Sequence, residues 1–129
     1  MPVRYVIVKD RRLVVTTASG HVTFAELKTH QDRLLSDPDF NPEFNQLLDG
    51  TGVTQLDLST DEVRMLASRR MFSPLSRRAF VAASPGVFGV ARMAEAYFEI
   101  SGSPSQIMVF SDMASALKWL GIESLPEST

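Results

Sequence analysis

The order of patterns along this chain predicts an α/β domain: a five-stranded, mostly parallel sheet with an antiparallel N-terminal hairpin, and four helices. Three observations carry the prediction. Strand-type and helix-type patterns alternate in the order hairpin, helix, strand, helix, strand, helix, strand, helix. Such alternation implies right-handed crossovers between parallel strands. Two helix starts are marked by capping boxes, Thr23 with Glu26 and Ser59 with Glu62, in which a hydroxyl and a carboxylate satisfy free amides at the first turn. Ala79-Phe80-Val81-Ala82-Ala83 is an unbroken apolar run, the mark of a strand covered on both faces.

The hairpin comes from Arg4–Lys9 and Arg12–Thr17, rich in valine and isoleucine and separated by the polar Asp10-Arg11. Its first strand is the antiparallel exception at a sheet edge, and Ser19-Gly20 ends its second. The Thr23 helix follows, with Val22 and Leu27 at hydrophobic-staple spacing and Phe24, Leu27, Leu34 and Leu35 on one face. Asp37-Pro38 and Asn41-Pro42 stop it, because proline disfavours helix at the residue before it.

Phe44 to Asp49 reads as a buried strand. Gly50, Gly52 and Asp57 then fit an acidic, turning connection. In the helix capped by Ser59, Val63, Leu66, Ala67 and Met71 share a face, and Arg64, Arg69 and Arg70 are expected in solvent. Ser73-Pro74-Leu75-Ser76 is a loop before the 79–83 strand. Ser84-Pro85-Gly86 opens a third helix, with proline at a position favoured near helix starts. There Arg92, Glu95 and Glu99 form one narrow polar stripe, while Val87, Phe88, Val90, Ala91, Ala94, Tyr97 and Phe98 cover most of the rest. So broad an apolar face implies burial on more than one side. Gly102 is its expected stop.

Gln106–Phe110 is the last strand. Ser111-Asp112 caps a final helix with Met113, Ala116, Leu117 and Leu120 buried. Gly121 takes the left-handed position after it, with a Schellman contact between Leu117 and Ile122. Residues 1–122 are expected to form one domain and 123–129 a flexible tail.

Composition narrows the function. A length of 129 residues suits one domain, and a hydrophobic fraction of 44% supports a core. A net charge of -2 offers no excess positive surface and argues against nucleic acid as the main ligand. With 0 cysteines, disulfides and thiolate metal sites are excluded. The N-terminal apolar run Tyr5–Val8 is too short for a signal peptide, and no segment is long and apolar enough to span a bilayer. A cytoplasmic location is expected. His21 and His30 do not form a metal pair of the usual kind, and His30 reads as a solvated neighbour of Glu26. No nucleophile–base pair can be named, so no catalytic residue, metal or cofactor is assigned and the domain reads as non-enzymatic.

Two segments carry a resemblance. Ile107-Met108-Val109-Phe110-Ser111-Asp112 followed by Ala116-Leu117-Lys118-Trp119-Leu120-Gly121 is similar to the strand, aspartate turn and helix that close members of a small bacterial STAS/CRAL-TRIO-like branch. Leu48-Asp49-Gly50 through Asp57-Leu58-Ser59-Thr60 resembles the STAS pattern in which a strand-end aspartate leads to an Asp-Ser-Ser-Gly-type loop and a helix. The chain thus resembles the SpoIIAA-like fold of anti-anti-sigma-factor (STAS) domains. In regulatory members a partner kinase phosphorylates the second serine of the loop. Ser59 lies on that position and Asp57 on the loop aspartate, while Leu58 and Thr60 replace the pattern's first serine and glycine.

The candidate sites follow. Ser59 is a phosphorylation site or a plain helix cap. Asp49, Ser84, Ser111 and Asp112 stand at carboxyl ends of strands, where ligands gather in open α/β sheets, and Asp57 joins them through the loop; the alternative is capping and turn formation. Phe88, Tyr97 and Phe98 mark an interface, the lid of an apolar pocket, or core. The Arg69-Arg70 and Arg77-Arg78 pairs read as solvated arginines flanking a loop. The expected function is a protein-interaction or regulatory domain working through the 49–59 loop and the apolar helix 87–100, self-associating as a homodimer. The alternative is a carrier of an apolar small molecule or lipid in a pocket under helix 87–100.

Overall fold

In the computed structural model, residues 2–100 and 106–123 are described. The hairpin is β1 (Val3–Val8) and β2 (Leu13–Thr23), joined by a 3-10 turn at Lys9–Arg11. Arg12 closes that turn in the left-handed region, φ 51°. Then follow α1 (Phe24–Ser36), β3 (Asn45–Asp57), α2 (Thr60–Ser68), β4 (Arg77–Val81), α3 (Pro85–Ile100), β5 (Gln106–Phe110) and α4 (Met113–Leu120). The strands lie in the order β1-β2-β3-β4-β5. β1 and β2 are antiparallel and every other pair is parallel.

Side chains alternate across the sheet, and the two faces are covered differently. On one, Leu13, Leu47 and Ala79 pack against Ala116 and Leu120 of α4. On the other, Val14 packs with Leu34 of α1, and Ala18, Val22, Val53 and Ala82 pack with Val87 of α3. α2 adds Val63 and Ala67 to that second layer.

Both capping boxes form. The Thr23 amide donates to Glu26 Oε1 at 2.9 Å, and the Ser59 amide donates to Glu62 Oε1 at 2.8 Å. α4 ends as expected: Gly121 has φ 76° and the Ile122 amide donates to the Leu117 carbonyl at 2.9 Å. The expected stop at Gly102 and the tail beyond 123 lie outside the described residues.

Four expectations are corrected. First, β2 does not end at Ser19-Gly20. It continues to Thr23 through two register shifts, with Gly20 at φ 69°. Second, 50–57 is not a turning loop. It is the second half of β3, with Gly52–Asp57 paired to Ser19–Thr23. Gly50 serves close approach: a Cβ there would stand 2.7 Å from the Val81 carbonyl oxygen. Third, α2 ends at Ser68 rather than Met71, so Met71 and Phe72 enter the core from the connection that follows. Fourth, Glu95 keeps its place beside Arg92, with an ion pair at 3.4 Å, but it turns inward from the polar stripe, its side chain only 13% exposed. Its Oε2 accepts from the Val109 amide at 3.0 Å, satisfying a free donor on the edge strand β5.

Candidate functional site

The arrangement of greatest chemical interest starts from one register. Gln46 of β3 stands beside Arg78 of β4 on the sheet face that α1 and α3 cover. Arg78 belongs to that face because it alternates with Ala79 and keeps step with Phe80 and Ala82. It is only 5% exposed. The Arg77-Arg78 pair is expected in solvent, but strand alternation leaves Arg77 exposed and Arg78 buried. Arg77 instead donates from Nη1 to the Trp119 carbonyl at 3.0 Å.

A buried polar chain leads away from Arg78. Its Nε donates to Gln46 Oε1 at 3.0 Å, Gln46 Nε2 donates to Thr16 Oγ1 at 3.1 Å, and Thr16 Oγ1 meets His30 Nε2 at 3.1 Å. All four residues are buried. His30, expected in solvent, therefore points into the core. Burial, and then the Arg78 charge, lower its pKa to about 4, so it is neutral at pH 7. A neutral imidazole can accept a hydrogen bond from the Thr16 hydroxyl at Nε2.

The Arg78 guanidinium is held among aromatic rings. Its Cζ lies 4.3 Å from the Phe72 ring centroid, 5.0 Å from that of Phe98 and 5.5 Å from that of Phe80. Ring faces attract a cation without neutralising it. Burial lowers the Arg78 pKa to about 9, which leaves it protonated at neutral pH. Among the described residues, no carboxylate pairs with it and no acceptor receives Nη1 or Nη2.

Arg78 borders a cavity of about 130 Å³ between the sheet and α1, α2 and α3. Its walls are almost wholly apolar: Val22, Val53 and Phe80 from the sheet side, Leu66 from α2, and Ala94 and Phe98 from α3. No side-chain nitrogen or oxygen among the described residues is sealed without a partner. Nη1 and Nη2 are thus not sealed off, and Arg78 is among the residues that line this cavity.

Of the residues singled out in the sequence, Asp49, Ser84, Ser111 and Asp112 fall at or just beyond one row of the sheet, while Ser59 and Asp57 lie farther along the chain from it. Ser59 is exposed at the α2 N-cap, its Oγ accepting from the Glu62 amide at 3.2 Å. Asp49 lies within β3, where its Oδ1 accepts from the Thr51 amide at 3.0 Å and the Thr51 hydroxyl at 2.7 Å. It shares a row of the sheet with Val81 and Phe110, the last residues of β4 and β5. Ser84 and Asp112 follow just beyond and cap helices: Ser84 Oγ accepts from the Val87 amide, and Asp112 Oδ1 from the Ser115 amide. That bond to Ser115 lowers the Asp112 pKa. Ser111 is exposed beside it. Asp57 lies at the far end of β3, bound to His21 and Gln55, and its bond to His21 is the main cause of its lowered pKa.

The three aromatics of α3 divide. Phe98 lines the cavity, Phe88 packs beside Val87 and Ala18, and Tyr97 lies under Arg64 at 5.2 Å. Among the described residues, no group of three or more histidine, aspartate or glutamate side chains is placed to hold a metal ion, and no helix is long and apolar enough to cross a membrane.

No protein-family model matches the chain, and no curated protein matches it. Among solved structures it is similar to an uncharacterized protein of the DUF3478 family with a SpoIIAA-like fold from Shewanella loihica PV-4. The two share 21% identity over 92% of this chain and 91% of the other, with a TM-score of 0.57. Structural similarity over nearly the full length of both chains, together with the mixed five-stranded sheet and four helices, gives this chain a SpoIIAA-like fold.

Proposed function

We propose that this domain binds one small, largely apolar molecule in the space between the sheet and helices α1, α2 and α3. The carrier reading takes precedence over an interaction module working through 49–59, because residues 49–57 of that segment belong to strand β3 rather than to a free loop. The single observation that carries it is the cavity of about 130 Å³ with apolar walls. Protein interiors are otherwise close-packed, and an apolar cavity of about 150 Å³ is large enough to take up benzene. The expected occupant is therefore the size of one ring or a short chain, well below a membrane lipid.

Amide shift mapping with indole and hexan-1-ol on 15N-labelled protein tests the reading. Saturable shifts should cluster at Val53, Leu66, Ala94 and Phe98. Ala94→Leu, which adds methyl groups to a cavity wall, should weaken binding at least tenfold. Shifts that do not saturate, or that scatter over the α4 face, would remove the reading.

A further inference from the structure

We propose that the molecule held here is a small apolar monocarboxylic acid, its carboxylate accepting from Nη1 and Nη2 of Arg78 and its body filling the apolar space beyond. This rests on the small-molecule reading above and adds the chemistry of the head group.

Three features point to it. The first is donor geometry. Arg78 has one of its donor groups engaged, because Nε donates to Gln46 Oε1. Gln46 is in turn held by Thr16, and Thr16 by His30. That chain fixes the guanidinium plane and leaves the end-on pair, Nη1 and Nη2, for a ligand. Two parallel N–H groups match the two oxygens of a carboxylate.

The second is charge. The guanidinium is buried, and rings at 4.3, 5.0 and 5.5 Å surround it without neutralising it. Burying an uncompensated charge is unfavourable. Here much of that desolvation has been met in folding, so an incoming anion meets a cation only 5% exposed. One positive charge is balanced by one negative charge. A phosphate dianion would leave a net negative charge among apolar walls, and an alcohol would leave the cation unbalanced.

The third is size and polarity. Among the described residues around the cavity, Arg78 alone carries a charge at neutral pH, since His30 is neutral. Gln31, Gln46 and His30 are the other polar wall residues, and the remaining walls are aliphatic, aromatic or glycine. The ligand thus has one anionic end and an apolar body of about the size of a benzene ring.

Isothermal titration at pH 7 with hexanoate and benzoate, against hexan-1-ol and benzyl alcohol, tests the assignment. The acids should bind wild-type protein at least tenfold tighter than the matching alcohols. Arg78→Met, which keeps an unbranched side chain, should abolish that preference while retaining alcohol binding. Equal affinity for acid and alcohol in the wild type would overturn the carboxylate assignment and leave the apolar-ligand reading standing. Hexyl phosphate binding more tightly than hexanoate would overturn the monoanion assignment. If neither acids nor alcohols bind, both readings fall. The wild-type comparison decides the matter even if Arg78→Met does not fold.

Discussion

Arg78 and His30 show how one buried charge reorganises its neighbours. Gln46 supplies the acceptor for Arg78 Nε, so Gln46→Leu should leave a buried donor unmatched and destabilise the fold by about 1–3 kcal/mol, read by urea denaturation. His30 makes a second prediction through pH. Its folded pKa of about 4 lies below the ordinary 6.5. The unfolded chain therefore binds the proton first as pH falls. The contribution is fully present above about 6.5 and is lost on the way down to about 4, to a total of about 3 kcal/mol. His30→Gln should flatten the fall in urea midpoint between those pH values relative to wild type. Parallel profiles for the two proteins would show that His30 is not the group responsible. Neither residue was legible as buried from the sequence. The Arg77-Arg78 doublet follows a proline-containing loop and has the look of surface. A signal was present in the step of two from Arg78 to Phe80 and Ala82, and in Gln46 standing among Phe44, Leu47 and Leu48. What joins these positions is the register between β3 and β4, which is set by pairing across distant parts of the chain.

Elements fixed by local chemistry were readable, and those fixed by pairing were not. The capping boxes at Thr23 and Ser59 span four residues each and form where the sequence places them. Ser59→Ala should cost about 1 kcal/mol in thermal or chemical denaturation, through loss of the bond to the Glu62 amide. β3 is the opposite case. Gly50 and Gly52 have the composition of a turn, yet the segment extends because Ser19–Thr23 lies alongside it. The two glycines make separate demands. A Cβ at Gly50 would stand 2.7 Å from a backbone oxygen, whereas one at Gly52 would stand 3.2 Å from the Ser19 side chain. The neighbour at Gly52 is the Ser19 Cβ, fixed by the backbone like the Val81 oxygen, so the distances decide: 2.7 Å forces a shift, whereas 3.2 Å needs only a small displacement. Gly50→Ala should therefore destabilise by about 1–3 kcal/mol, and Gly52→Ala by less. Equal melting temperatures for the two variants would contradict the close approach at Gly50.

The two sides of the sheet have different mechanical characters. α4 closes one side with Ala116 and Leu120 fully engaged against Leu13, Leu47 and Ala79. On the other, α2 and α3 roof a cavity, so their inner side chains lack partners over part of their surface. Missing contacts forfeit dispersion energy, and segments with fewer buried contacts open at lower free energy. On the proposed ligand-binding reading, α2 and α3 are the elements expected to open for a molecule, while β2, β3 and β4 stay paired. Hydrogen exchange read by mass spectrometry should show 60–68 and 85–100 exchanging before 45–49 and 77–81. Hexanoate at about 100 times its Kd should stabilise the closed form by about 2.7 kcal/mol. It should slow exchange in α2 and α3, and by less in α4 unless α4 exchanges only through global unfolding. Slowing confined to α4, with α2 and α3 unaffected, would place the binding site on the wrong side of the sheet.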